Sequence, residues 1–323
     1  MSDLLDEFDW IRALRPLARG APEALGLADD AAVLAARPGY DLVISKDAMV
    51  EGTHFLAGER CDIVARRLLR TNLSDLAAKG ADPFGYFLMT AWPSSKGASD
   101  REAFIEGLKE DGARFGLALL GGDTVATPGP LCVSATILGW VPAGQAVLRS
   151  GARPGDSLVV IGGVGDGLLG LRAARGEIED ADGALAAHYR LPEPLLPLRR
   201  AVRTCASAAA DVSDGLLADA LHIAEASGCG LVVDLENTPL SSGARRWLDR
   251  QGDRAAGVAT LASGGDDYAL VCATRDGPTL VEAALAEGSP AAIAGVFTPK
   301  PGLEVRWKGA PIAAPPDFGW RHG

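Results

Sequence analysis

The stretch Thr71-Asn72-Leu73-Ser74-Asp75-Leu76-Ala77-Ala78-Lys79-Gly80-Ala81-Asp82-Pro83 reads as the end of a helix followed by a stop. Leu68, Leu69, Leu73, Leu76 and Ala77 recur at helical spacing, Gly80 suits a left-handed cap past the last turn, and Pro83 prevents continuation. The apolar run at 85–91 then predicts a strand, so helix gives way to strand across a tight stop, the alternation of an α/β chain. Asp75 comes seven positions after Leu68, about 20° from it on a helical wheel, at the edge of the apolar stripe. A carboxylate there needs a partner. An i,i+4 pair with Lys79 or a neighbouring backbone would supply one, and so would a metal ion.

Outward from this point the alternation continues in both directions. Residues 4–17 predict a helix. The run Leu25-Gly26-Leu27-Ala28-Asp29-Asp30-Ala31-Ala32-Val33-Leu34 carries two adjacent carboxylates, and strand alternation would turn one of them to solvent and the other towards the core or a cleft. A strand is expected over 41–50, with Asp47 near its end, then a loop at Gly52-Thr53-His54-Phe55 and a helix over 61–79. A helix over 100–115 precedes a short strand, 117–120, that runs into Gly121-Gly122-Asp123-Thr124; another strand spans 131–141. Pro-Gly turn chemistry in Arg149-Ser150-Gly151-Ala152-Arg153-Pro154-Gly155-Asp156 predicts a domain boundary, dividing 1–148 from 149–323. Beyond it, strands at 158–161, 208–211, 231–235, 268–273, 292–296 and 303–307 alternate with helices at 168–175, up to 202, up to 227, and at 239–250 and 278–287.

The chain has 323 residues, 48% apolar and 23% charged, which describes a soluble globular protein large enough for two cores. No apolar run approaches the ~18 residues of a membrane span, and the first ten residues, MSDLLDEFDW, are acidic where a signal peptide is basic, so a cytoplasmic protein is expected. Five scattered cysteines without a C-x-x-C predict reduced thiols rather than disulfides or zinc. A net charge of −11 argues against an extended nucleic-acid footprint. A phosphorylated ligand remains compatible with it if divalent cations stand between ligand and protein.

The sequence has no G-x-x-x-x-G-K-[ST], which excludes a P-loop. A G-x-G-x-x-G occurs at Gly165-Asp166-Gly167-Leu168-Leu169-Gly170, but the acidic residue a dinucleotide fold requires about 20 positions on is missing; His188-Tyr189-Arg190-Leu191-Pro192 reads as a loop there. Glycines that let a helix pack closely on its strand are the better reading. The stronger constellation is Asp30, Asp47, Asp75, Asp123, Asp211 and Asp214, each in or at the end of an apolar element. Hard oxygen donors of this kind suit Mg²⁺, which takes one or two carboxylates with phosphates and water. Grouped aspartates repel one another unless cations fill the gaps. No nucleophile with an evident base is visible.

L-A-D-D-A-A-V-L, S-K-D-A-M-V-E-G-T-H-F, N-L-S-D-L-A-A-K-G-A-D-P, L-L-G-G-D-T, L-R-S-G-A-R-P-G-D, D-V-S-D-G-L and S-G-G-D-D-Y-A-L occur in this order. Together they resemble the thiamine-monophosphate kinase family of the aminoimidazole ribonucleotide synthetase-like ATP-binding superfamily. The resemblance implies an α/β (α+β) fold of two domains, an N-terminal mixed-sheet domain that binds ATP and Mg²⁺ and dimerises, plus a C-terminal α/β domain. It implies transfer of the ATP γ-phosphoryl group to thiamine monophosphate by a cytoplasmic homodimer. Asp30, Ser45, Asp47, Asp75, Asp123, Asp211 and Asp214 would hold several Mg²⁺ ions; Gly122, Asp123, Arg149 and Ser213 would contact ATP; His54, Asp266 and Trp320 would contact the thiamine. The chain departs from the family's pattern at Lys46, where Thr is common, at Asp266, where Glu is usual, and after Trp320, where a final Phe is lacking. Alternatives within the resemblance are another superfamily enzyme such as aminoimidazole ribonucleotide synthetase, or a non-catalytic Mg·ATP sensor.

Overall fold

A computed structural model of the chain describes residues 7–315, 318 and 319. It falls into two units, Met1–Leu76 with Asp82–Gly144, and Ala77–Ala81 with Gln145–Gly323. Among the described residues no helix is long and apolar enough to cross a membrane.

The first unit is built on a four-stranded mixed sheet. Its elements are α1 (Glu7–Leu14), β1 (Tyr40–Val50), α2 (Cys61–Ala78), β2 (Asp82–Pro93), α3 (Ala98–Phe115), β3 (Ala118–Thr127) and β4 (Cys132–Pro142). The order is β1-β4-β2-β3, with β4 antiparallel to both β1 and β2, and β3 parallel to β2. Leu68, Leu69, Leu73 and Leu76 of α2 are fully buried, as their spacing requires. α3 lies close against α2 because Gly107 has no side chain: a Cβ there would sit 2.3 Å from the Asp62 carbonyl oxygen. An ion pair fixes the two helices, with Arg70 Nε donating to Asp111 Oδ2 at 2.6 Å and both residues buried. Gly80 takes the left-handed cap conformation, φ +70°, its N–H reaching the Ala77 carbonyl.

Three expectations for this unit need correction. The first helix ends at Leu14, and Pro16 opens a 3-10 turn over Arg15–Ala18. The segment 25–34 is not a strand. Leu25, Gly26 and Leu27 all take positive φ (48°, 68° and 51°), which breaks any extended run, and Asp29 and Asp30 are both exposed on the coil that follows. Conversely, the short strand expected over 117–120 does not stop there: Gly121-Gly122-Asp123-Thr124 is the middle of β3, paired with β2. Only glycine fits at Gly122, where a Cβ would stand 2.0 Å from the Leu88 carbonyl oxygen.

The second unit holds a seven-stranded sheet made of β5 (Ser157–Ile161), β6 (Ala208–Val212), β7 (Gly230–Asp234), β8 (Ala269–Thr274), β9 (Ala291–Thr298), β10 (Gly302–Trp307) and β11 (Ala310–Ile312), in the order β11-β10-β7-β9-β5-β8-β6. Only β10 and β7 run parallel. The other pairs are antiparallel. Around the sheet pack α4 (Asp166–Ala174), α5 (Ala184–Arg190), α6 (Arg199–Cys205), α7 (Leu216–Ala226), α8 (Ser242–Leu248), α9 (Arg254–Ala262) and α10 (Gly277–Ala286). The core joins strand residues such as Val160, Ala210, Val233 and Val271 to Leu217, Ile223 and Leu261 of the helices. Two helices here were read otherwise. α5 runs to Arg190 where a loop was expected, and α8 begins only at Ser242 because Ser241 caps it, its Oγ accepting from the Ala244 N–H. α9, capped by Asp253, was not foreseen.

Candidate functional site

In the first unit the structure brings Ser45, Asp47 and Asp75 together. β1 presents Ser45 and Asp47 on one face and Lys46 on the other, as strand alternation dictates. Ser45 Oγ donates to Asp75 Oδ2 at 2.5 Å, and the Asn72 side-chain oxygen accepts the Asp47 N–H at 3.2 Å. The edge-of-stripe position of Asp75 on α2 is therefore used: its carboxylate faces β1. The Asp47 carboxyl is pushed up to about 6, first by burial and then by the Asp75 charge, with Lys46 opposing. Lys79, one residue past α2 and part of the second unit, donates to the Ala209 carbonyl at 2.8 Å.

Asp30, Gly122 and Asp123 line a separate feature of this unit, a cleft of about 600 Å³ that also takes in Lys46, Ser134 and Thr136. Its apolar lining includes Trp10, Ile11, Leu14 and Leu27. His54 sits in the loop after β1, where its Nδ1 accepts the Val50 N–H at 3.1 Å, so the ring proton is carried by Nε2.

In the second unit Asp211 lies buried near the end of β6, paired with Leu270 of β8, and the turn that follows carries Ser213 and Asp214, both half-buried. The Asp266 N–H donates to the Ser213 carbonyl at 2.8 Å, which places Asp266 beside that turn. Arg149 is exposed on the segment before β5. Trp320 lies outside the described residues. Two carboxylates outside the expected ligand set, Asp219 and Asp267, organise this region. Asp219 Oδ2 accepts the N–H groups of Ser213, Asp214 and Gly215 at 3.1, 3.0 and 3.2 Å from a position with no solvent exposure. Burial pushes its carboxyl up to about 6, against the bonds from the Asp214 and Gly215 amides. Asp267 accepts from Gly165 and Gly167 at the start of α4, at 2.8 and 2.9 Å, and burial holds its carboxyl well above the usual range. The amides that a G-x-G-x-x-G would offer to a pyrophosphate thus hold an internal carboxylate. The glycines serve packing, since a Cβ on Gly170 would lie 2.2 Å from the Leu185 carbonyl oxygen. One signal for Asp219 was available: it is the single acid in the apolar run Leu216-Leu217-Ala218-Asp219-Ala220-Leu221.

No three His, Cys, Asp or Glu side chains among the described residues stand close enough to hold a metal ion on their own. Asp47 and Asp75 stand together beside Ser45, while Asp30 and Asp123 both line the cleft. Paired carboxylates with a hydroxyl, completed by phosphate and water, are the usual surroundings of Mg²⁺. Burial first, and the Asp75 charge second, raise the Asp47 carboxyl, and a bound cation would oppose both effects. On donor chemistry these residues fit Mg²⁺.

Two family models match the chain: AIR synthase related protein, N-terminal domain, over residues 28–141, and its C-terminal domain over 153–308. The chain is 58% identical over 320 residues to a thiamine-monophosphate kinase of Caulobacter vibrioides, covering 98% of this chain and 91% of that one. A crystal structure of thiamine-monophosphate kinase from Stenotrophomonas maltophilia superimposes with a TM-score of 0.81 at 34% identity, covering 95% of this chain and 98% of that one. A structure described as AaThiL complexed with AMPPCP and TMP gives 0.78 at 25% identity, with 99% and 97% coverage. Near-full-length identity of this degree, over both domains and on the same fold, means that the chain belongs to the thiamine-monophosphate kinase family.

Proposed function

We propose that this protein transfers the γ-phosphoryl group of ATP to the phosphate of thiamine monophosphate, giving thiamine diphosphate and ADP. The observation that carries this reading is the 58% identity over 320 residues to a thiamine-monophosphate kinase. Phosphoryl transfer between two phosphates asks a protein mainly for positioning and charge compensation, and none of its own atoms need form a covalent bond. In this reading Asp30, Ser45, Asp47, Asp75, Asp123, Asp211 and Asp214 hold Mg²⁺, which when bound neutralises phosphate charge and steadies the leaving group. Gly122, Asp123, Arg149 and Ser213 contact ATP. His54, Asp266 and Trp320 orient the thiamine. His54 offers an Nε2–H, and Asp266 is steadied by the Tyr268 hydroxyl, which donates to its Oδ1 at 2.9 Å. Residues 1–148 serve as the ATP- and Mg-binding domain and 149–323 as its α/β companion.

The protein works in the cytoplasm, a reading supported by five free cysteines. It pairs with a second copy through the N-terminal sheet. The support is β1, an edge strand on which Tyr40, Leu42 and Ile44 are exposed in alternation, Ile44 to 58%.

Purified protein incubated with Mg·ATP and thiamine monophosphate should produce thiamine diphosphate, followed by chromatography. No product above a no-enzyme control would sink the assignment. Asp75→Asn should lower kcat about a hundredfold or more while the melting temperature barely moves. Wild-type turnover in that variant would remove Asp75 from the site.

A further inference from the structure

The cleft of the four-stranded sheet is lined on its polar side by carboxylates, Asp29, Asp30 and Asp123, and by one cation, Lys46. No other basic side chain lines it among the described residues. Lys46 is exposed, yet it is held: Nζ donates to Ser134 Oγ at 2.7 Å. Ser134 is itself 2% exposed and donates its proton to the Asp47 carbonyl at 2.8 Å. That bond turns the lone pairs of the hydroxyl towards the ammonium, so Ser134 can only accept from Lys46. Register puts Lys46 opposite Thr136, on the face away from Ser45 and Asp47. Two of the three ammonium N–H bonds have no partner among the described residues. A lysine serving only solubility gains nothing from a buried serine that fixes its head group, whereas an anion entering between Asp30 and Asp123 needs a countercharge at that place.

We propose that Lys46 is a phosphate-binding residue of this cleft, its ammonium pairing directly with a phosphate of the nucleotide. The proposal rests on the ATP reading above and deepens it. The apolar side chains of Trp10, Ile11, Leu14 and Leu27 suit a base, and Gly121 and Gly122 of β3 line the same cleft. A cation tethered to β1 is present at every binding event and takes a share of the neutralisation that otherwise falls on dissociable Mg²⁺.

Titration calorimetry of the full chain with ADP and, separately, with thiamine monophosphate tests this, each in Mg²⁺ and in EDTA, for wild type, Lys46→Met and Lys46→Arg. Lys46→Met should bind ADP about tenfold more weakly, the scale of one charge-assisted contact, with the larger loss in EDTA. Lys46→Arg should recover part of the affinity, and thiamine monophosphate binding should not change. Equal ADP affinity in wild type and Lys46→Met, or a loss confined to thiamine monophosphate, overturns the proposal alone. Wild-type protein that binds no ADP even with Mg²⁺ overturns the nucleotide reading and this proposal with it.

Discussion

Asp219 and Asp267 engage backbone amides, and each stands beside residues proposed to meet a ligand. Asp219 holds the turn of Ser213 and Asp214 through three N–H bonds, and Gly215, at φ +129°, has no room for a side chain because a Cβ would lie 2.9 Å from the Ser263 carbonyl carbon. Asp219→Ala leaves all three amides without this acceptor, at about 1–3 kcal/mol for each buried donor left unmade. Asp219→Asn keeps an oxygen in the same place. Thermal unfolding should therefore show a large drop for Ala and a small one for Asn. Activity should fall in the same order, and equal behaviour of the two variants would deny the turn its dependence on Asp219. The sequence placed two aspartates side by side at 266 and 267 but could not assign them. Their division of labour depends on Asp266 and Tyr268 both taking positive φ, 66° and 51°, a strained turn that sends Asp267 inward to α4. Burial of Asp219 likewise depends on how α7 packs, which no local spacing encodes.

At the scale of elements, α2 supports the first-unit site. It carries Asn72 and Asp75 towards β1, and its position is fixed by the leucine stripe and by Arg70, whose guanidinium meets Asp111 of α3. Asp111 has no solvent exposure and Arg66 also reaches it, at 3.3 Å. Asp111→Ala should cost about 3–5 kcal/mol in denaturant unfolding, because buried guanidinium charge loses its counterion. The double variant Arg70→Met with Asp111→Leu should regain much of that, since two apolar side chains can replace a buried pair. A single variant as stable as wild type would show that the pair contributes nothing. Elements with strong periodicity and clear punctuation, such as α2 with Gly80 and Pro83, were legible in the sequence within a few residues of their ends. The failures share a cause. Residues 25–34 alternate well enough for a strand, but three successive positive φ angles bend them away, while β3 continues through two glycines because neighbouring β2 demands the close approach. In both places tertiary contact overrode local pattern.

The whole molecule yields two tests. Cys61 and Cys272 are buried, and burial pushes both thiols up to about 12, so neither offers thiolate at pH 8. Iodoacetamide should leave both unmodified in the native protein and label all five cysteines after denaturation, read by peptide mass. Labelling of Cys272 in native protein would contradict its place in the sheet core. The second test concerns the proposed pairing of two copies. Among the described residues β1 has a strand neighbour on one side only, and its outward residues Tyr40, Leu42 and Ile44 form an apolar row on a chain whose net charge is −11. Such a row on an edge strand invites another chain unless it is covered. Ile44→Glu adds a negative charge to that row at a side chain that is 58% exposed in the protomer. Sedimentation velocity at micromolar concentration should give a dimer for wild type and a monomer for Ile44→Glu, with unchanged circular dichroism. A wild-type monomer, or a variant that still sediments as a dimer, would move the pairing surface off β1.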